Sequence, residues 1–135
     1  MDAELSLAAG DPAAAIALLL PTHDGSELYF SHAVLLRAYL QAKDYSAAGK
    51  ESQWLMRERG RAYAEPNDWD SWNGPNIVES NLAMLSAAEV AQALGQPALA
   101  GKWLKDFLSA WPEAERGFAG PRVRALKLAL AKPAG

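Results

Sequence analysis

Cysteine is absent from the 135 residues, which excludes disulfides, thiolate metal ligands and a cysteine nucleophile. Histidine occurs only as His23 and His32. These two are not at the i,i+4 spacing with which one helix face grips zinc, so a lone His32 reads as a packed side chain rather than a ligand. No β-branched alternating runs are present, which removes sheet-based folds. No apolar run reaches about 18 residues, so a membrane-crossing helix is not expected. Basic charge does not dominate either: 13 Lys and Arg stand against 16 Asp and Glu, for a net charge of −3. Nucleic acid is therefore not the expected partner. Serines lack a GxSxG setting and no GxxxxGK[ST] loop occurs, so neither acyl-transfer nor nucleotide chemistry is indicated. The expectation is a noncatalytic protein without cofactor or metal.

What the chain has is alanine and helical periodicity. Half of its residues are hydrophobic, and alanine both favours helix and lets helices approach closely. One phrase recurs. Ala9-Gly10-Asp11-Pro12-Ala13-Ala14-Ala15 returns as Ala42-Lys43-Asp44-Tyr45-Ser46-Ala47-Ala48, and again as Leu94-Gly95-Gln96-Pro97-Ala98-Leu99-Ala100. The second copy lies 33 residues after the first and the third 52 after the second. Each copy reads as a tight turn followed by a helix start, flanked by apolar-periodic runs. A period in the low thirties made of helix–turn–helix units is the mark of stacked helical repeats, which bury their cores against neighbours and offer a surface to partners.

The pattern places helices as follows. The first spans Asp2 to Ala9 and stops at Gly10; Asp11 caps the second, with Pro12 in its first turn, and Pro21 ends it. Ser26 is the expected cap of the third. Asp44 opens a fourth that runs to about Glu65, with Gly60 a weak point inside it and Pro66 its stop. Residues 66–75 read as a loop. Asn76 and Glu79 have capping-box spacing, so a fifth helix starts there and ends at Gly95. A sixth runs from Pro97 towards Pro112, and a last one covers 121–131. Expected hairpins are 2–21, 26–65 and 76–112, in a single domain.

These residues resemble the tetratricopeptide repeat. Leu35 and Tyr39 sit where that family places its first-helix Leu and Tyr, and Ala48 at its helix crossing. In the third copy Ala88 matches the small position, Ala100 the crossing Ala, Leu104 the Phe and Pro112 the closing Pro. In the first copy Ala15 and Leu19 match. His32, Ser52, Gly60 and Ala91 depart from the pattern, and about 18 residues are inserted between the second and third copies. The resemblance implies an all-α, right-handed α-α superhelix of about three hairpins with a C-terminal capping helix. It also implies protein or peptide binding on the concave face formed by first helices. By spacing, that face holds Glu4, Arg37, Gln41, Glu89 and Gln92. In bacteria, divergent repeats of this type often belong to larger regulatory chains, so the partner could be another domain of the same parent chain, and homo-oligomerisation is a further option.

The insertion adds Trp69 and Trp72 in a polar setting, and aromatic anchors dominate binding hot spots. Both are candidate partner contacts; alternatively they plug the gap between hairpins, or bind a small molecule or sugar with Asp68 and Asp70. Asp68, Asp70 and Glu79 have partial calcium-loop spacing, but Trp72 and Asn73 occupy the fifth and sixth places, where a ligand and glycine belong. Arg116, Arg122, Arg124, Lys127 and Lys132 make a basic end, read as the solvated face of a capping helix. Asp2 and Glu4 replace the basic leader of a secretory signal. A cytoplasmic protein is expected if Met1 is the native start; in an excised piece, which the short first helix favours, the compartment is unknown.

Overall fold

The computed structural model describes residues 2–65, 73–111 and 119–131. Among them every regular element is helical: α1 (Asp2–Ala8), α2 (Pro12–Leu19), a 3-10 turn (Leu20–Thr22), α3 (Tyr29–Gln41), α4 (Tyr45–Arg57), α5 (Arg61–Ala64), α6 (Asn73–Ala93), α7 (Pro97–Ala110) and α8 (Ala119–Leu130). The protein is all-α, as its alanine content and periodicity require. No described helix is long and apolar enough to cross a membrane.

The recurring phrase folds into the same turn three times. Gly10, Lys43 and Gly95 all have positive φ, at 80°, 59° and 71°. At each, two hydrogen bonds close the preceding helix in a Schellman motif. Asp11 N–H reaches Ser6 O at 2.9 Å and Gly10 N–H reaches Leu7 O at 3.0 Å; Asp44 to Tyr39 and Lys43 to Leu40 repeat this at 2.9 and 3.1 Å, and Gln96 to Ala91 and Gly95 to Gln92 at 2.8 and 3.1 Å. The next helix begins at once. Asp11 Oδ1 accepts from Ala14 N–H at 2.9 Å and Asp44 Oδ1 from Ala47 N–H at 3.0 Å, whereas Gln96 makes no side-chain cap. The alanine four residues after each cap, Ala15, Ala48 and Ala100, is buried. A small side chain at such a position lets paired helices approach closely.

Three apolar clusters lie in series. Ala3, Ala15, Val34 and Ala38 join α1, α2 and α3. Tyr29, Ala33, Leu36, Ala48, Leu55, Ala62, Ala83 and Val90 join α3, α4, α5 and α6. Met84, Leu85, Ala88, Leu104, Phe107, Trp111 and Ala125 join α6, α7 and α8. Both α3 and α6 therefore bury two sides, and their apolar residues run around the helix rather than along one stripe. Trp111 is buried, while Trp54 and Trp103 are partly buried.

Several boundaries differ from the sequence expectation. Helix α3 starts at Tyr29, not after Ser26. The Ser26 hydroxyl and N–H both turn back to Asp24 Oδ1, at 2.6 and 3.0 Å, and Leu28 offers no side-chain cap. The opening donor is met from afar instead: Tyr29 N–H bonds Glu65 Oε1 at 2.7 Å. The expected fourth helix is two, broken between Arg57 and Arg61 around Gly60. Helix α6 begins at Asn73 rather than Asn76, placing Pro75 in its first turn. Asn76 and Glu79 do not form a capping box. Asn76 Nδ2 donates to Glu65 Oε2 at 3.3 Å and Glu79 pairs with Arg37. The last helix occupies 119–130 rather than 121–131.

The turns give a direct test. A Cβ on Gly95 meets nothing within 4 Å, so the cost of Gly95→Ala is backbone strain alone, about 1 kcal/mol. Lys43 already carries that strain, and Lys43→Gly is expected to relieve part of it. Urea denaturation should show the two variants moving the midpoint in opposite directions.

Candidate functional site

The first-helix residues singled out by spacing can be followed one at a time. On α3, Arg37, Leu40 and Gln41 share a face because they are three and four residues apart; on α6, Leu82, Ser86 and Glu89 do the same. These six residues, with Arg124 from α8, line one recess of about 370 Å³. Glu4 of α1 reaches it through Arg37. The structure thus brings Glu4, Arg37, Gln41 and Glu89 to one site. Gln92 is not part of it. It lines a separate, larger cleft of about 570 Å³ with Pro97, Ala100, Leu104, Leu108 and Leu128, where α7 meets α8. Trp69 and Trp72, with Asp68 and Asp70, lie outside the described residues, as do Pro112, Arg116 and Lys132.

The charges in the recess are engaged with one another. Arg37 Nη1 donates to Glu79 Oε1 at 2.9 Å and Nη2 bonds Glu4 Oε1, so one guanidinium ties α1 and α6 to α3. Its Nε is buried with no partner among the described residues, an unmet donor beside the recess. Arg124 grips Glu89 with both Nε and Nη2, at 2.5 and 2.7 Å. That bidentate pair fixes α8 over α6. Two of the five charged residues that set the electrostatics, Glu79 and Arg124, take a role here that differs from the sequence expectation, which made one a helix cap and the other part of a solvated basic face. Arg122 also turns inward, donating to Leu108 O at 3.4 Å.

Burial pushes the Glu79 carboxyl above its ordinary value of 4.5; Arg37 opposes that shift and the neighbouring Glu4 charge reinforces it. With two guanidiniums facing Glu4, Glu79 and Glu89, the site keeps an excess of negative charge. Its floor is apolar, through Leu40 and Leu82.

A carboxyl whose pKa is raised on folding binds its proton more tightly in the folded chain. Stability then falls as pH rises from the unfolded value through the folded one. Glu79→Gln removes that loss while its amide oxygen keeps the Arg37 hydrogen bond. Urea midpoints measured at pH 4.5 and pH 7 should show the variant gaining on the parent as pH rises; a constant gap would refute the assignment.

Comparison with family models, with curated proteins and with solved structures finds no match for this chain.

Proposed function

We propose that this chain is a noncatalytic protein-binding module of tetratricopeptide type, in which the α1–α2, α3–α4 and α6–α7 pairs form a short right-handed superhelix closed by α8. The observation that carries the repeat is the threefold recurrence of one turn, with a left-handed residue at Gly10, Lys43 and Gly95 and a buried alanine at Ala15, Ala48 and Ala100. Such pairs expose a common face built from first helices, and α1, α3 and α6 supply Glu4, Arg37, Gln41 and Glu89 to the recess. The bound segment is an amphipathic peptide: an apolar side chain rests on Leu40 and Leu82, and a Lys or Arg meets the excess carboxylate at the Glu4–Glu79 end. Arg37 and Glu89 act there by shaping the recess, since each already has a partner. No nucleic acid or membrane surface has the matching chemistry.

A second reading, packing against a second copy or another domain of a larger regulatory protein, is favoured by apolar side chains on the first helix pair and the 3-10 turn that follows it. Leu5, Leu18 and Leu20 are all at least 47% exposed.

The two readings separate in one experiment. Gln41→Trp fills the recess from its exposed rim without touching the ion pairs. It should weaken peptide or partner capture by an order of magnitude, about 1.4 kcal/mol, and added salt should weaken capture by the parent chain. If Gln41→Trp captures partners as the parent does while Leu18→Glu abolishes association in light scattering, the recess is not the binding surface.

A further inference from the structure

The two histidines are brought together by the fold. His23 follows the 3-10 turn after α2, and His32 lies one turn into α3; their ring centroids are 4.5 Å apart at an interplanar angle of 83°. Glu51 of α4 completes the group. One donor atom from each of His23, His32 and Glu51 lies within 4.8 Å of the others. This cluster draws on the segment after the 3-10 turn, α3 and α4, apart from the recess residues, and the proposed function does not use it.

The hydrogen bonds around it decide which atoms are available. His23 Nδ1 is 2.9 Å from Leu19 O. A carbonyl only accepts, so Nδ1 carries the proton and Nε2 of the neutral ring keeps its lone pair. That Nε2 is buried and has no hydrogen-bond partner among the described residues. His32 Nε2 lies 3.1 Å from Glu27 Oε1 and its Nδ1 2.7 Å from Glu51 Oε2. Both contacts are hydrogen bonds only when both nitrogens carry protons, since carboxylates accept. Removing the Nδ1 proton leaves Nε2–H on Glu27 and turns Nδ1 into a donor of electrons beside Glu51.

We propose that His23 Nε2, His32 Nδ1 and the Glu51 carboxylate bind a zinc-class divalent ion, with water in the fourth position. Two imidazoles and one carboxylate are a borderline donor set, suited to zinc rather than magnesium or calcium. In each histidine the remote nitrogen is held by an oxygen acceptor, Leu19 O for His23 and Glu27 for His32. This is the second-shell arrangement that fixes tautomer and ring orientation at metal sites. The His32 ring is further held by stacking on Trp54, centroid to centroid at 3.4 Å and 19°. Glu27 and Glu51 together balance the ion's charge, and the Arg61 guanidinium that bonds the Glu27 carbonyl is itself paired with Glu65 at 3.1 Å. The ion replaces the proton shared by His32 Nδ1 and Glu51, and a short inward movement of the His23 loop draws the donors to the ~3.4 Å separation that zinc–nitrogen bonds of about 2.0–2.1 Å require. Bound there, it ties the segment after α2 to the α3–α4 pair.

The test is isothermal titration of the purified, chelator-stripped full chain with Zn²⁺, and separately with Mg²⁺. One Zn²⁺ per chain is expected with a dissociation constant at or below about 10 μM, with no Mg²⁺ response over the same range. His23→Gln and Glu51→Gln, both at partly exposed positions and with folding checked by circular dichroism, should each weaken Zn²⁺ binding at least about tenfold, and Glu27→Gln by roughly 10- to 100-fold through the second shell. With Co²⁺ in place of Zn²⁺, visible d–d absorption of low-coordinate cobalt should appear in the parent chain and be lost in His23→Gln. Absence of one-to-one Zn²⁺ binding, or binding unchanged in both His23→Gln and Glu51→Gln, overturns the proposal.

Discussion

The Glu65 carboxylate is the joint on which the middle of this molecule closes. One oxygen accepts the first N–H of α3 from Tyr29 and faces Arg61; the other accepts from Asn76 on α6. Its partners come from three separate helices, α3, α5 and α6, and Glu65, just past the end of α5, is itself buried. A helix start leaves several N–H groups without intrahelical acceptors, and an anion placed there also complements the helix dipole. Because α3 has no local side-chain cap, this distant carboxylate takes that role. The Tyr29 ring then enters the central cluster, with its hydroxyl donating to Leu55 O at 3.3 Å, so the entry of α3, the end of α5 and the start of α6 are set by one group.

Around that joint the chain uses one local device repeatedly. A left-handed residue ends a helix, a capping residue restarts the chain, and an alanine four positions later lets the two helices meet. Lys43 does at some strain what glycine does elsewhere, and Gln96 caps without a side-chain bond, yet the buried alanine is present each time. The device is robust because its geometry rests on backbone hydrogen bonds, which tolerate changes of side chain.

That robustness explains what could be read from the amino-acid sequence. The turns at Gly10, Lys43 and Gly95, the caps Asp11 and Asp44, and the gathering of Glu4, Arg37, Gln41 and Glu89 all follow from local chemistry or helical spacing. What could not be read depends on partners distant in the chain. Asn76 and Glu79 satisfy the local capping rule, but Glu65 and Arg37 compete for them and prevail. Ser26 loses the opening of α3 to Glu65 in the same way. Gln92 fails to join the recess because the packing of α8 on α6 and α7 divides the surface there. His23 and His32 lie on opposite sides of a helix start, where no fixed periodicity relates them, so their proximity had no signal in spacing.

The sharing of α3 between the first and second clusters, and of α6 between the second and third, has a consequence for how order is lost. Opening α1 and α2 strips one side of α3 but leaves its other side packed against α4 and α6; releasing α7 and α8 does the same to α6. The ends can therefore open separately, as in chains whose units contact only their neighbours, while α3 and α6 cannot be exposed without dismantling two clusters. Their amides should exchange with solvent only when the molecule unfolds as a whole, and the outer helices through smaller openings.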